Sequence, residues 1–173
     1  YWVSEKDSGQ SEALNKGLRK ATGDIIGWLC SDDLCLPGTF EKVIRLFEEH
    51  PSAGMLHGKS ILFGKGKKDL IKGAEPHDLH LRYFSVIPFP QPSSFFTKTA
   101  IAHTGLLDES LHFGMDYDLL IRIAGQFDII RTDEVLSKYR LHSSSKTVSQ
   151  LPRFAGEWAR VFSRFLNSTD IPA

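Results

Sequence analysis

At 173 residues the chain is long enough for one domain with a sizeable buried core. Its 41% apolar and 24% charged residues match a water-soluble globular protein. Lys+Arg and Asp+Glu each number 21, so the formal net charge is zero, which argues against nucleic acid or an anionic membrane as the main partner.

The chain opens on Tyr1-Trp2-Val3 without an initiator Met, in a pattern that reads as the middle or end of a strand, so a preceding segment is expected to be missing. The stretch SGQSEALNKGLRKATG sets Ala13, Leu14, Gly17, Leu18 and Ala21 on one helical face, with Ser8 as N-cap and Gly23 as stop. DIIGWLC follows as a strand. In LPGTFEKVIRLFEEHP, Pro37 starts a helix with an apolar stripe of Phe40, Val43, Ile44 and Phe47, and Pro51 ends it. AGMLHGKSILF reads as a strand, GKGKKDLIKG as a basic, glycine-rich turn or hairpin, and PHDLHLRYF as a short helix. The proline-punctuated IPFPQPSSFFTK runs into a short strand. KTAIAHTG is a short helix closed by Gly105, and DYDLLIRIAGQ is another, with Asp116 at its start and Gly125 at its end. FDIIRT and VLSKYRLH read as two strands. The tail LPRFAGEWARVFSRFL puts Phe154, Trp158, Val161, Phe162 and Phe165 on one face, an amphipathic helix over residues 150–167. No repeat, low-complexity tract or linker divides the chain, so residues 1–173 form a single α/β domain. Cys30 and Cys35 lack a zinc-like spacing and fit buried, reduced thiols in a cytosolic setting. No apolar run approaches a membrane span and no signal peptide is visible.

The run from Ile25 to Cys30 ends abruptly in Asp32 and Asp33. Adjacent carboxylates repel each other and resist desolvation, so a metal ion or a bound group would offset them. In open α/β sheets, ligands sit beyond the carboxyl ends of the strands, and this pair stands at such an end. Side chains alternate along an extended segment, which gives one aspartate to a divalent cation and the other to a ligand hydroxyl. Mg2+ or Mn2+ held by one or two carboxylates plus substrate phosphates suits a nucleotide ligand. In isolation, SDD also fits a turn that merely leads into the next helix.

The surroundings favour a site. SEKDSGQSEALNKGLRKATGDIIGWLCSDDLCLPG resembles the middle of family 2 glycosyltransferases, which have the GT-A fold. The matching positions are Asp7, Gly9, Ala13, Asn15, Gly17, Ala21, Gly23 and Ser31-Asp32-Asp33. Downstream, QPSSFFTKTAIAHTGLLDESLHFGMDYDLLIRIA resembles the acceptor-side block of these enzymes, and YRLHSSSKT their closing Arg/His segment, so the likeness runs to about Thr147. Ser31 stands where many relatives carry a first Asp, leaving Asp33 as the direct metal ligand. Met115-Asp116 replaces the usual Glu-Asp pair, as in a subset of bacterial relatives.

The resemblance implies a metal-dependent, inverting glycosyltransferase with a mixed GT-A (Rossmann-like) sheet flanked by helices and lacking its N-terminal strands. Asp33 would bind the Mn2+ or Mg2+ that bridges the donor diphosphate, and His142 would close the site against the metal or the diphosphate. Asp32 would contact the ion or the donor ribose. Asp7, Gln10, Asn15 and Arg140 join it on the donor side, Arg140 through a charge-assisted bond to phosphate. Asp116 would be the general base that takes the proton from the acceptor hydroxyl. The expected donor is a UDP- or dTDP-sugar, and the acceptor a glycan or lipid carrier of cell-surface polysaccharide. The expected location is cytoplasmic or peripheral at the inner face of the membrane. Elementary chemistry agrees: such transfer needs a carboxylate near the nucleophile and positive charge near the leaving diphosphate, and a helix N-terminus favours the ionised form of Asp116. Asp118 reads as the structural acid of that turn.

Missing N-terminal strands would leave an uncovered edge prone to self-association and would weaken donor binding. His77 and His80 have a spacing for neighbouring ligands but no third partner, and Lys65, Lys67 and Lys68 read as a solvated loop. A sugar-phosphate nucleotidyltransferase would need a glycine-rich basic loop near the N-terminus, which is not seen. A catalytically silent nucleotide-sugar-binding or scaffold domain is the rival from outside the enzymes.

Overall fold

The computed structural model describes residues 2–64, 68–73 and 89–166. The elements, in chain order, are α1 Gln10–Lys20, β1 Ile25–Ile26, β2 Leu34–Cys35, α2 Thr39–Glu49, β3 Ala53–Phe63 and β4 Leu70–Gly73. A 3-10 turn at Gln91–Ser93 then leads into β5 Ser94–Thr97, α3 Lys98–Thr104, α4 Met115–Ala124, β6 Asp128–Arg140, α5 Lys146–Ser149 and α6 Leu151–Leu166. PHDLHLRYF with His77 and His80, and Lys65 and Lys67, lie outside the described residues.

One mixed sheet organises the chain, in the order β1-β5-β3-β6-β2, with β4 also pairing to β3. Strands β3 and β6 run parallel; the other pairings are antiparallel. The first six residues of β3, AGMLHG, are all buried, as expected for a central strand covered on both faces. Neighbouring side chains take opposite faces. Met55 and its partner Phe96 join the larger core with Ile26, Leu119, Leu120, Ile123 and Val161, under α3, α4 and α6. Leu56 and its partner Phe95 join Val43, Phe47, Ile130 and Leu136, under α2. Gly58 admits this packing, because a Cβ there would lie 2.7 Å from Leu136 Cδ1 and 2.8 Å from the Glu134 carbonyl oxygen.

Several elements differ from the sequence expectation. Only Ile25 and Ile26 of DIIGWLC join the sheet. The next carbonyls leave the ladder: Gln91 Nε2 donates to the Trp28 carbonyl at 2.7 Å, and the Trp28 ring stacks on Phe96 at 5.3 Å. FDIIRT and VLSKYRLH form one 13-residue strand, accommodated by irregularities in its register with β3. Helix α1 is capped at Gly9 rather than Ser8, whose N–H and hydroxyl instead donate to Glu12, and it ends at Ala21 before Gly23. Helix α2 begins at Thr39, not Pro37, and only part of its stripe is used: Val43 and Phe47 are buried, whereas Phe40 and Ile44 face solvent. Cys30 and Cys35 are free thiols, half-buried rather than fully enclosed. Among the described residues no helix is long and apolar enough to cross a membrane.

Candidate active site

A cleft of about 1160 Å³ opens where the N-terminal turn of α1, the 28–33 segment, the start of α4, the end of β6 and helix α6 meet. Of the residues singled out in the sequence, Gln10, Asp32, Asp33, Asp116, Arg140 and His142 line it.

Asp32 and Asp33 are delivered by a turn, closed by the Asp33 N–H donating to the Cys30 carbonyl at 3.1 Å. The alternation expected of extended backbone therefore does not apply. Instead of facing opposite ways, Cys30, Asp32 and Asp33 offer one ligand atom each within 4.8 Å of one another. Asp33 is 4% exposed; its Oδ1 accepts from the Arg140 N–H at 2.8 Å, and its buried Oδ2 has no partner. Burial, with a contribution from Asp32, pushes its carboxyl up to about 6 against the Arg140 N–H bond. An unpartnered buried carboxylate oxygen beside two further ligand atoms is a donor set that fits a divalent cation.

His142 comes to this cluster through Asp32, with Nε2 3.0 Å from Asp32 Oδ2. Arg140 fastens strand β6 to the turn: its Nε donates to the Asp32 carbonyl at 3.1 Å, and its guanidinium lies 4.5 Å over the Phe63 ring.

Across the cleft, Asp116 sits in the first turn of α4 and accepts from the Tyr117 N–H at 2.9 Å. Burial outweighs that bond and the nearby Lys146 charge, and pushes its carboxyl up to about 6. The helix terminus thus does not hold it at an ordinary carboxylate value, as the sequence led us to expect. A base of that strength is still mostly ionised at neutral pH and takes up a proton more readily than a surface aspartate. Asp118, two residues on in the same first turn, is buried and paired to Arg122 at 2.7 Å; Arg122 also donates to the carbonyls of Thr104, Gly105 and Leu106.

Two residues are not brought to the cleft. Asn15 is buried with its amide fully used: Nδ2 donates to the Leu107 carbonyl and to Glu109 Oε1, and Oδ1 accepts from the Leu107 N–H, each at 2.9 Å. It ties α1 to the loop before α4. Asp7 is exposed and accepts from the Gly9 N–H at 3.0 Å, shaping the turn into α1.

Three participants escaped the sequence reading. Lys146 donates to Gln10 Oε1 at 2.9 Å and to the His112 carbonyl at 3.0 Å, which places its charge in the cleft. Glu157 of α6 accepts from the N–H groups of His112, Phe113 and Gly114 at 2.8–3.0 Å and so ties the loop entering α4 to another helix. Ser60, Ser93 and Ser137 share buried hydroxyl bonds of 2.5–2.8 Å that pin the Gln91 turn to β3 and β6. Only the position of Lys146 just after His142 carried any signal.

A sequence profile described as Glycosyl transferase family 2 matches residues 1–96. The amylovoran biosynthesis glycosyltransferase AmsE of Erwinia amylovora is 30% identical over 142 residues, covering 80% of this chain and 53% of its own. An uncharacterized glycosyltransferase of Haemophilus influenzae is 26% identical over 125 residues, covering 70% of this chain and 46% of its own. The chain thus spans about half the length of the curated relatives it matches. Among solved structures, S. aureus TarS 1-349 in complex with UDP-GlcNAc superposes with a TM-score of 0.71 at 16% identity, over 96% of this chain and 50% of that one. The mannosyltransferase PcManGT from Pyrobaculum calidifontis, in complex with GDP-Man and Mn2+, does so with a TM-score of 0.68 at 14% identity, over 96% and 46%.

Proposed function

The chain belongs to glycosyl transferase family 2 and has the GT-A fold, and from that premise we propose that it carries the site of an inverting, metal-dependent sugar transfer from a nucleotide sugar to a hydroxyl acceptor. One observation carries the reading: Asp116, a carboxylate tuned to about 6, shares one cleft with the Cys30–Asp32–Asp33 cluster.

Asp116 is the general base. It takes the proton of the acceptor hydroxyl as that oxygen forms its bond to the anomeric carbon and the bond to the diphosphate breaks on the opposite face. Asp33 and Asp32 hold the cation, with His142 behind Asp32. Mn2+ or Mg2+ bound there supplies positive charge to offset the diphosphate as it leaves. Gln10 sits on the donor side with Lys146 bonded to it, and the guanidinium of Arg140 is at hand for phosphate oxygens. Asp7 and Asn15, outside the cleft, support the donor side only by holding α1 and its entry turn.

TarS has been described with UDP-GlcNAc and PcManGT with GDP-Man and Mn2+, which supports a nucleotide-sugar donor; we propose a UDP- or dTDP-sugar. Likeness to an amylovoran biosynthesis enzyme supports a role in polysaccharide synthesis; we propose a glycan or lipid-linked acceptor of surface polysaccharide, used at the cytoplasmic side of the membrane.

A panel of nucleotide sugars tested for Mn2+-dependent thermal stabilisation addresses the donor. One nucleotide class should raise the melting temperature only with Mn2+, and Asp33→Ala should abolish the effect. Stabilisation by no member of the panel, with or without metal, would overturn the reading. Stabilisation without any turnover would instead favour a silent nucleotide-sugar-binding domain.

A further inference from the structure

We propose that Cys30 is a third ligand beside Asp32 and Asp33, so that this site has a sulfur donor and a preference for thiophilic divalent ions such as Zn2+ and Cd2+. The proposal rests on the reading that the two aspartates hold a cation, and adds a ligand that reading does not require.

The geometry is the first support. The Cys30 sulfur and one oxygen from each aspartate lie within 4.8 Å of one another. Zn–S distances of about 2.3 Å and Zn–O distances of about 2.0–2.2 Å put tetrahedral ligands of one ion roughly 3.4–3.6 Å apart, so side-chain rotations that close the cluster by about 1 Å would complete the site.

The second support is independent of the cysteine. Asp33 is 4% exposed and its Oδ2 has no hydrogen-bond partner. A buried carboxylate oxygen is left that way at a cost unless a ligand arrives.

The thiol lines the open cleft, where its sulfur accepts from Gln10 Nε2 at 3.9 Å and donates to Gln91 Oε1 at 3.8 Å, weak sulfur hydrogen bonds that a bound cation would replace. The backbone turn that closes on the Cys30 carbonyl holds it in place beside the acids. Oxygen donors suit Mg2+ and Mn2+, whereas a thiolate selects softer ions. The same three residues would then discriminate among cations, with Zn2+ and Cd2+ displacing Mn2+. Cys35 is the natural control, because it lies in β2 opposite Ser137 and does not line the cleft.

Cadmium titration of the wild type, Cys30→Ser, Cys35→Ser and Asp33→Asn, followed by the sulfur-to-cadmium charge-transfer absorption, tests the assignment alongside Mn2+ binding by electron paramagnetic resonance. The expected band saturates at one equivalent in the wild type and in Cys35→Ser, and is absent from Cys30→Ser and Asp33→Asn. The ratio of Zn2+ to Mn2+ affinity should fall by about tenfold or more in Cys30→Ser, at least the loss that an outer-sphere partner commonly causes. A band that survives Cys30→Ser or Asp33→Asn, or that only Cys35→Ser removes, overturns the inference. So does the absence of any band while Mn2+ still binds in an Asp33-dependent manner, which leaves the aspartate reading standing. Failure of every cation to bind the wild type overturns both. In Cys35→Ser, Mn2+ should also slow alkylation of Cys30; an unchanged rate counts against the inference even if Cys30→Ser does not fold.

Discussion

Burial pushes both Asp116 and Asp33 up to about 6, and the consequences differ with the roles we propose for them, Asp116 as general base and Asp33 as cation ligand. Replacing Asp116 by Asn keeps the size and removes the base, so transfer should drop by about 10²–10⁴-fold with donor binding retained. Because the base works deprotonated, kcat/KM should rise with pH through about 6. Lys146 is the charge that lowers the Asp116 carboxyl, and Cys30 and Tyr139 are the other titratable groups that feel the Asp116 charge. In Lys146→Gln that limb should move to higher pH; an unmoved limb with merely lower activity would limit Lys146 to a structural role. For Asp33 the sign concerns stability. Its folded value lies above the unfolded one of about 3.9, so the folded state binds more protons across that window and stability falls as pH rises from about 4 to about 6. Asp33→Asn should therefore stabilise the metal-free chain at neutral pH by up to about 3 kcal/mol, and leave it unchanged near pH 4. Urea midpoints with chelator present, at both pH values, check this. The same variant should lose Mn2+ binding, the pattern of a site that trades stability for a ligand.

Element positions depend on contacts that span large stretches of sequence, and α4 shows how. The N–H groups of His112, Phe113 and Gly114, on the loop that enters α4 at its N-cap, all donate to the carboxylate of Glu157 on α6. Cutting it back with Glu157→Ala should cost about 1 kcal/mol, measured by urea unfolding, because part-buried donors lose a charged acceptor. It should also lower transfer, since the loop it anchors leads directly into the turn that carries Asp116; unchanged stability and turnover would show that water replaces the carboxylate. Helical periodicity made α1, α2, α4 and α6 legible, and the apolar run made β3 legible, because those signals are local. What distant partners decide was not legible. Strand β1 stops after two residues, and beyond it the Trp28 carbonyl accepts from Gln91, 63 residues away, instead of from a neighbouring strand. Asn15 looks like a donor ligand in its motif, yet its amide is consumed by Leu107 and Glu109, about ninety residues away. The aspartate pair stood out in the sequence, but its direction did not, because a turn at Cys30–Asp33 cancels the alternation of an extended chain.

At the scale of the whole molecule, the described sheet ends in two very short strands, β1 and β2, each of two residues. Beside β2 in the chain, α2 spends only half of its apolar stripe on the core. Phe40 is 62% exposed and Ile44 48%, one turn apart on the same side of the helix, and Leu34 on β2 is 50% exposed. Exposed apolar side chains grouped in this way favour association, and a sheet edge offers unpaired backbone groups to another strand. Charge does nothing to oppose it: with 21 acidic and 21 basic residues, two copies feel no net long-range repulsion near neutral pH. We therefore expect the isolated chain to self-associate, with light scattering showing a mass that grows with concentration. The double variant Phe40→Glu, Ile44→Lys places charge on the same helical side without touching Val43 or Phe47 in the core. It should shift the distribution toward monomer and leave the melting temperature nearly unchanged, since exposed positions rarely cost more than about 0.5 kcal/mol. If the wild type is monomeric at every concentration, this face is simply tolerated. If it associates and the double variant associates equally, the contact lies elsewhere on the molecule.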